Sequence, residues 1–167
     1  IPRFPTGTKS DDALFQIGES YFDQEKYDDA VSSYQRLVDK MRINELTDLE
    51  IQRIQRDKLA GLTDETALDL AAKAALKIGA CYASSGRFDE ASESYKRIAT
   101  LFRYDLRLIF EAYNRLATMY YEQDRFDDAI QAYRDAIDEV QDKVIKAQMQ
   151  VQICQLYFDE GYYEEAI

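Results

Sequence analysis

An aromatic residue, two acids and an alanine recur in that order four times: Tyr27-Asp28-Asp29-Ala30, Phe88-Asp89-Glu90-Ala91, Phe126-Asp127-Asp128-Ala129 and Tyr163-Glu164-Glu165-Ala166. A block that returns at near-regular spacing restricts a chain to architectures built by stacking one small unit. Other positions recur in step with it. Nine residues before each aromatic lies a small residue, Gly18, Gly79, Ala117 or Cys154. A branched aliphatic precedes that residue (Ile17, Ile78, Leu116, Ile153), and a tyrosine follows it three positions on (Tyr21, Tyr82, Tyr120, Tyr157). Four residues past the block alanine stands a further tyrosine, Tyr34, Tyr95 or Tyr133.

Spacings of three and four place side chains on one face of a helix. Each unit then reads as two helices. The first buries the aliphatic and the tyrosine; the second buries the alanine and the later tyrosine. The small residue marks where the two helices approach closely. The acidic pair opens the second helix, where the macrodipole favours negative charge by about 0.3–1 kcal/mol per residue. Gly86 and Gly161 fall between paired helices, where a left-handed residue commonly ends the first. Glu25 and Asp124 hold the same place with a side chain that this conformation disfavours.

These offsets together resemble the tetratricopeptide repeat (TPR) family, whose period is about 34 residues. The resemblance implies an all-α fold, a right-handed α-solenoid of helix-turn-helix repeats. It covers residues 11–38, 72–101, 110–140 and 147–167, the last a truncated repeat, within a single array over 1–167. Residues 1–10 read as the exit of a preceding repeat, and the array as a fragment of a longer one. Ser10 is expected to cap the first helix, ahead of Asp11 and Asp12. Leu14, Ala75 and Tyr113 fill the large-residue site early in the first helix; repeat four has Gln150 there.

The first two blocks are 61 residues apart and the later intervals are 38 and 37, which exposes an irregular helical insertion over 39–71. In it, Thr47-Asp48-Leu49-Glu50 is a capping-box pattern. It is expected to start a helix toward Ala60, with Leu46, Leu49, Ile54 and Leu59 as a partial apolar face. Thr63, Asp64 and Glu65 then open the long first helix of repeat two. Lys40, Arg42, Arg53, Arg56 and Lys58 make the stretch basic. It reads as a solvated helix face, a contact element or a degenerate repeat.

Composition narrows the function. The net charge is −11, part of it carried by the block acids. Such a surface repels nucleic acid and anionic lipid, so neither is an expected partner. No apolar run approaches the roughly 18–20 residues of a membrane span, so direct membrane insertion is not expected. The chain has no histidine, which removes the commonest general base and metal ligand. Two isolated cysteines make neither a zinc site nor a disulfide framework. Cys154, at a small-residue site, is expected to be buried and Cys81 partly exposed. Phosphate-loop, dinucleotide-binding and nucleophile-elbow motifs are missing from the sequence. The chain therefore reads as a non-enzyme without cofactor or metal.

The resemblance also implies a partner-binding groove lined by the first helix of each unit. It places there Phe15, Glu19 and Phe22 from repeat one, Lys73 and Lys77 from repeat two, Asn114, Thr118 and Tyr121 from repeat three, and Gln155 and Phe158 from repeat four. Phe22, Tyr121 and Phe158 share one position, four residues after the small residue; Ala83 holds it in repeat two. These aromatics either contact a ligand or pack on the neighbouring first helix. One TPR subgroup grips chaperone C-terminal carboxylates with basic residues and asparagine. Phe15 and Glu19 stand where the first unit of that clamp needs a basic residue and an asparagine, so only Lys73 and Lys77 echo it. The implied function is a protein–protein interaction scaffold for a peptide or protein partner, with self-assembly into a homo-oligomer as the alternative. Phe4-Pro5-Thr6-Gly7, leading through Ser10 to Ile17-Gly18, is similar to bacterial envelope TPR proteins. That similarity implies a periplasmic or envelope setting; a cytoplasmic adaptor is the alternative.

Overall fold

The computed structural model describes residues 9–41, 47, 49–50, 52–53, 56, 67–103 and 105–165. Among them are seven numbered helices and no strand: α1 (Lys9–Asp23), α2 (Tyr27–Lys40), α3 (Ala67–Ser84), α4 (Phe88–Leu101), α5 (Leu106–Tyr121), α6 (Phe126–Glu139) and α7 (Lys143–Asp159). The block aromatics Tyr27, Phe88 and Phe126 are the first residues of α2, α4 and α6. The chain divides into two compact units between residues 104 and 105. In the first, α1 packs on α2, α2 on α3 and α3 on α4, while α1 also touches α3. In the second, α5 packs on α6 and α6 on α7, while α5 also touches α7. First helices are thus neighbours within each unit, as helical repeats require.

The recurring positions make the core. Ala30, Ala91 and Ala129 are fully buried, and Tyr34, Tyr95 and Tyr133 nearly so. Tyr34 lies directly against Gly18, and Tyr95 holds the same relation to Gly79. Ala117 is buried at the corresponding place in repeat three. Asp11, in the first turn of α1, is buried and pairs with Lys40 Nζ, tying the start of α1 to the end of α2. The helix already runs from Lys9, so Ser10 lies inside it and is not its cap.

Each first helix ends in the same turn. Glu25 (φ 58°), Gly86 (75°), Asp124 (57°) and Gly161 (82°) are all left-handed. The next amide in each case donates to a tyrosine carbonyl five residues back: Lys26 to Tyr21 (2.9 Å), Arg87 to Tyr82 (2.8 Å), Arg125 to Tyr120 (3.0 Å) and Tyr162 to Tyr157 (2.8 Å). This bond closes a Schellman-type end and satisfies carbonyls the helix leaves open. The second helix then starts without a side-chain cap at Arg87 or Arg125. Arg87 instead donates to Glu90 (2.9 Å) and Arg125 to Asp128 (2.7 Å), so the block acids serve as ion-pair acceptors besides answering the helix dipole. Both guanidinium groups also lie 4.5 Å from the ring centroid of a repeat tyrosine, Tyr82 and Tyr120 respectively.

Several expectations require correction. Ile17 is 46% exposed, because no described element covers that side of α1. Cys154 is exposed and Cys81 fully buried, the reverse of the expectation. Gly18 and Gly79 are sealed by the tyrosine of their own second helix, and no such tyrosine lies over Cys154 among the described residues. Gln150 is exposed, whereas Tyr113 and Ala75 are buried at the matching site.

In the insertion the capping box is present. Glu50 accepts from the Thr47 amide (2.9 Å) and hydroxyl (2.7 Å), and residues 49, 50, 52, 53 and 56 are helical. Leu49 is 77% exposed, so it contributes no buried face. Leu46, Ile54, Leu59, Arg42, Lys58 and the start expected at Thr63 lie outside the described residues.

Candidate functional site

On α1, Phe15, Glu19 and Phe22 follow one another at helical intervals of four and three, which aligns them along one face. All three are half-buried. Phe15 meets the Tyr34 ring at 5.5 Å and 57°, and Phe22 meets Tyr27 edge-on at 5.6 Å. Between the two phenylalanines, Glu19 accepts a hydrogen bond from the Tyr34 hydroxyl. Burial and the Glu19 carboxylate both push the Tyr34 phenol above its ordinary range.

Lys77 of α3 completes the cluster. Its Nζ lies 3.0 Å from Glu19 Oε2 and 5.2 Å from the Phe22 ring centroid. Lys73, one turn earlier, is exposed. Glu19 and Phe22 of repeat one and Lys77 of repeat two therefore meet on one surface of the first unit. The lysine pair is not an open basic spot, since Glu19 already neutralises Lys77.

In the second unit Asn114 Oδ1 accepts from the Tyr133 hydroxyl at 2.6 Å, and burial pushes that phenol up to about 12. Thr118 is exposed. Tyr121 is half-buried, and a hydrogen bond to Glu160 raises its phenol. Gln155 donates to Asp159 (2.6 Å), and Phe158, 57% exposed, meets Tyr163 edge-on at 5.3 Å.

The spacing of Tyr34 and Tyr133 points to the core alone. Their hydroxyls also anchor Glu19 and Asn114. The signal was available in principle: a tyrosine packed over Gly18 must end beside the residues flanking it.

The first unit also carries a cleft of about 220 Å³ where α2, α3 and α4 meet, lined by buried Val38, Ile78 and Ile98 and exposed Glu93 and Arg97. That is below the roughly 300–1,000 Å³ of small-molecule sites. Among the described residues no group of acids and cysteines is arranged to hold a metal, and no helix is long and apolar enough to cross a membrane.

Two family models, both described as tetratricopeptide repeat, match residues 70–138 and 12–40, together more than half of the chain. No curated protein matches the sequence. Among solved structures, BtubC (BKLC) from P. vanneervenii is similar at a TM-score of 0.54 and 17% identity, covering 92% of this chain. The chain spans just over half, 56%, of that protein. The crystal structure of MamA aligns at a TM-score of 0.49 and 20% identity, over 93% of this chain and 71% of that one. With matching models over both units and helix pairs locked by a repeated tyrosine, the chain belongs to the tetratricopeptide repeat family.

Proposed function

We propose that this chain is a non-catalytic scaffold that holds a peptide or protein partner along the exposed faces of its first helices. TPR repeats are interaction modules, and that class of role needs no reactive centre. The observation that carries the reading is the surface formed by Phe15, Glu19 and Phe22 of α1 with Lys77 of α3, half-buried aromatics flanking fixed charges. Aromatic anchors of this kind dominate the energetics of many interfaces. In the second unit Tyr121 and Phe158 extend the proposal, with Asn114, Thr118 and Gln155 beside them. The bacterial envelope is the proposed setting, supported by the similarity around Phe4-Pro5-Thr6-Gly7. The test is affinity capture from the source cell with the native chain and with Phe22→Ala, Tyr121→Ala and Phe158→Ala combined. A partner retained through all three substitutions would sink the groove reading.

A second reading is self-assembly. Val144, Val151 and Phe158 lie at seven-residue intervals on α7 and are 65%, 62% and 57% exposed. A helix face of that kind is a candidate seam for a second copy. Light scattering across a concentration series decides it, and a strict monomer removes this reading.

A further inference from the structure

We infer that the partner places a basic side chain, lysine or arginine, against Glu19 and Phe22 of α1, and that Lys77 fills this position in the partner's absence. The inference rests on the groove reading above and assigns the chemistry of its central contact. Glu19 is held in place by the hydroxyl of Tyr34, itself fully buried. The carboxylate therefore presents a fixed acceptor. The face of Phe22 lies beside it. A carboxylate joined to an aromatic face selects cations, through a charge-assisted hydrogen bond and the ring quadrupole. The occupant seen there obeys that rule, with the Lys77 ammonium 3.0 Å from Glu19 and 5.2 Å from the Phe22 centroid.

Lys77 is an exchangeable occupant. It comes from the neighbouring helix on a flexible four-carbon stem, and its side chain is 35% exposed. A partly exposed ion pair of this type holds weakly, so a partner cation displaces it at small cost. An acidic partner group fares worse. It would approach an ammonium whose carboxylate cannot move away. The net charge of −11 acts in the same direction, drawing cationic partners toward the chain.

The probe is n-butylammonium, with butyrate as its anionic counterpart. Each is titrated into the whole 167-residue chain while the Phe22 ring signals are followed by NMR. Removing the internal occupant with Lys77→Met, checked by Lys77→Gln, is expected to lower the half-saturating butylammonium concentration by about fivefold, the scale of an exposed ion pair. Glu19→Gln added to Lys77→Met is expected to abolish the saturable response. Butyrate is expected to leave the ring signals unchanged in every variant.

The inference is overturned if butylammonium produces no saturable Phe22 shift in Lys77→Met, or the same shift once Glu19→Gln is added to it. It is equally overturned if butyrate proves the better ligand of the native chain. Any of these results, alongside partner capture that still depends on Phe22, would leave the groove standing and remove only the cation. Capture that survives the combined Phe22, Tyr121 and Phe158 substitutions would remove the groove itself.

Discussion

The ring of Tyr34 lies so close over Gly18 that a Cβ added to the glycine would stand 2.5 Å from Tyr34 Cε1. Tyr95 repeats the relation over Gly79 at the same 2.5 Å. Both tyrosines are buried and have little room to retreat. Gly18→Ala and Gly79→Ala are therefore expected each to cost about 1–3 kcal/mol despite the better helix propensity of alanine. Urea denaturation monitored by circular dichroism measures it; a stability equal to or above the native value contradicts the packing. Ala117 tolerates its methyl because Tyr133 is directed elsewhere. The Tyr133 hydroxyl bonds Asn114, three residues before the small residue, whereas Tyr34 bonds Glu19, one residue after it.

The left-handed residue at the end of α1 is a glutamate, where repeats two and four have glycine. A side chain in this conformation costs roughly 1–2 kcal/mol, partly offset by the lower unfolded-state entropy of a non-glycine residue. Glu25→Gly should thus stabilise the first unit by about 0.5–1 kcal/mol. A thermal melt that falls on this substitution would show that Glu25 makes a compensating contact.

The two thiols should behave as opposites. Cys154 is exposed and should react with a disulfide reagent within the mixing of a native sample. Cys81 is fully buried, and burial pushes its thiol up to about 12. It should react only as fast as the first unit opens, with its rate rising through the urea transition. Two equivalents released at once in native buffer would refute the burial of Cys81.

Alkaline pH should unfold the chain through its tyrosines. Burial raises the phenols of Tyr34, Tyr113 and Tyr133 above the ordinary value of 10, with Tyr133 at about 12. Above pH 10 the unfolded chain releases these protons and the folded chain keeps them. Stability is therefore intact below pH 10 and falls as pH rises through the folded values, by at most about 1.4 kcal/mol per pH unit for each phenol. Tyr133→Phe should flatten the fall between pH 10 and 12. Melting temperatures across that range check the slope, and an unchanged slope would contradict the assignment.

What the sequence disclosed, and what it withheld, divides along a physical line. Contacts within one helix pair were legible, because they depend on fixed short offsets: Gly18 under Tyr34, the left-handed Glu25 and Asp124, and the Thr47–Glu50 box. Exposure was not. Periodicity says that Ile17 and Cys154 lie on particular helix faces, but only a neighbouring element decides whether those faces are covered. The Lys77–Glu19 pair joins residues 58 positions apart across α1 and α3. Both stand at expected groove positions, yet nothing local to either predicts that they neutralise each other.

The four matching turns set where the chain can change length without losing register. From Gly18, Gly79, Ala117 and Cys154 to the following block aromatic the distance is always nine residues, and the left-handed residue always falls within it. One residue inserted in the helical part of that span would turn what lies beyond it by about 100° about the axis, which in the first two repeats would move the glycine off its tyrosine. Within a helix pair this chain keeps that spacing constant; its length varies only between pairs, where the blocks stand 61, 38 and 37 residues apart.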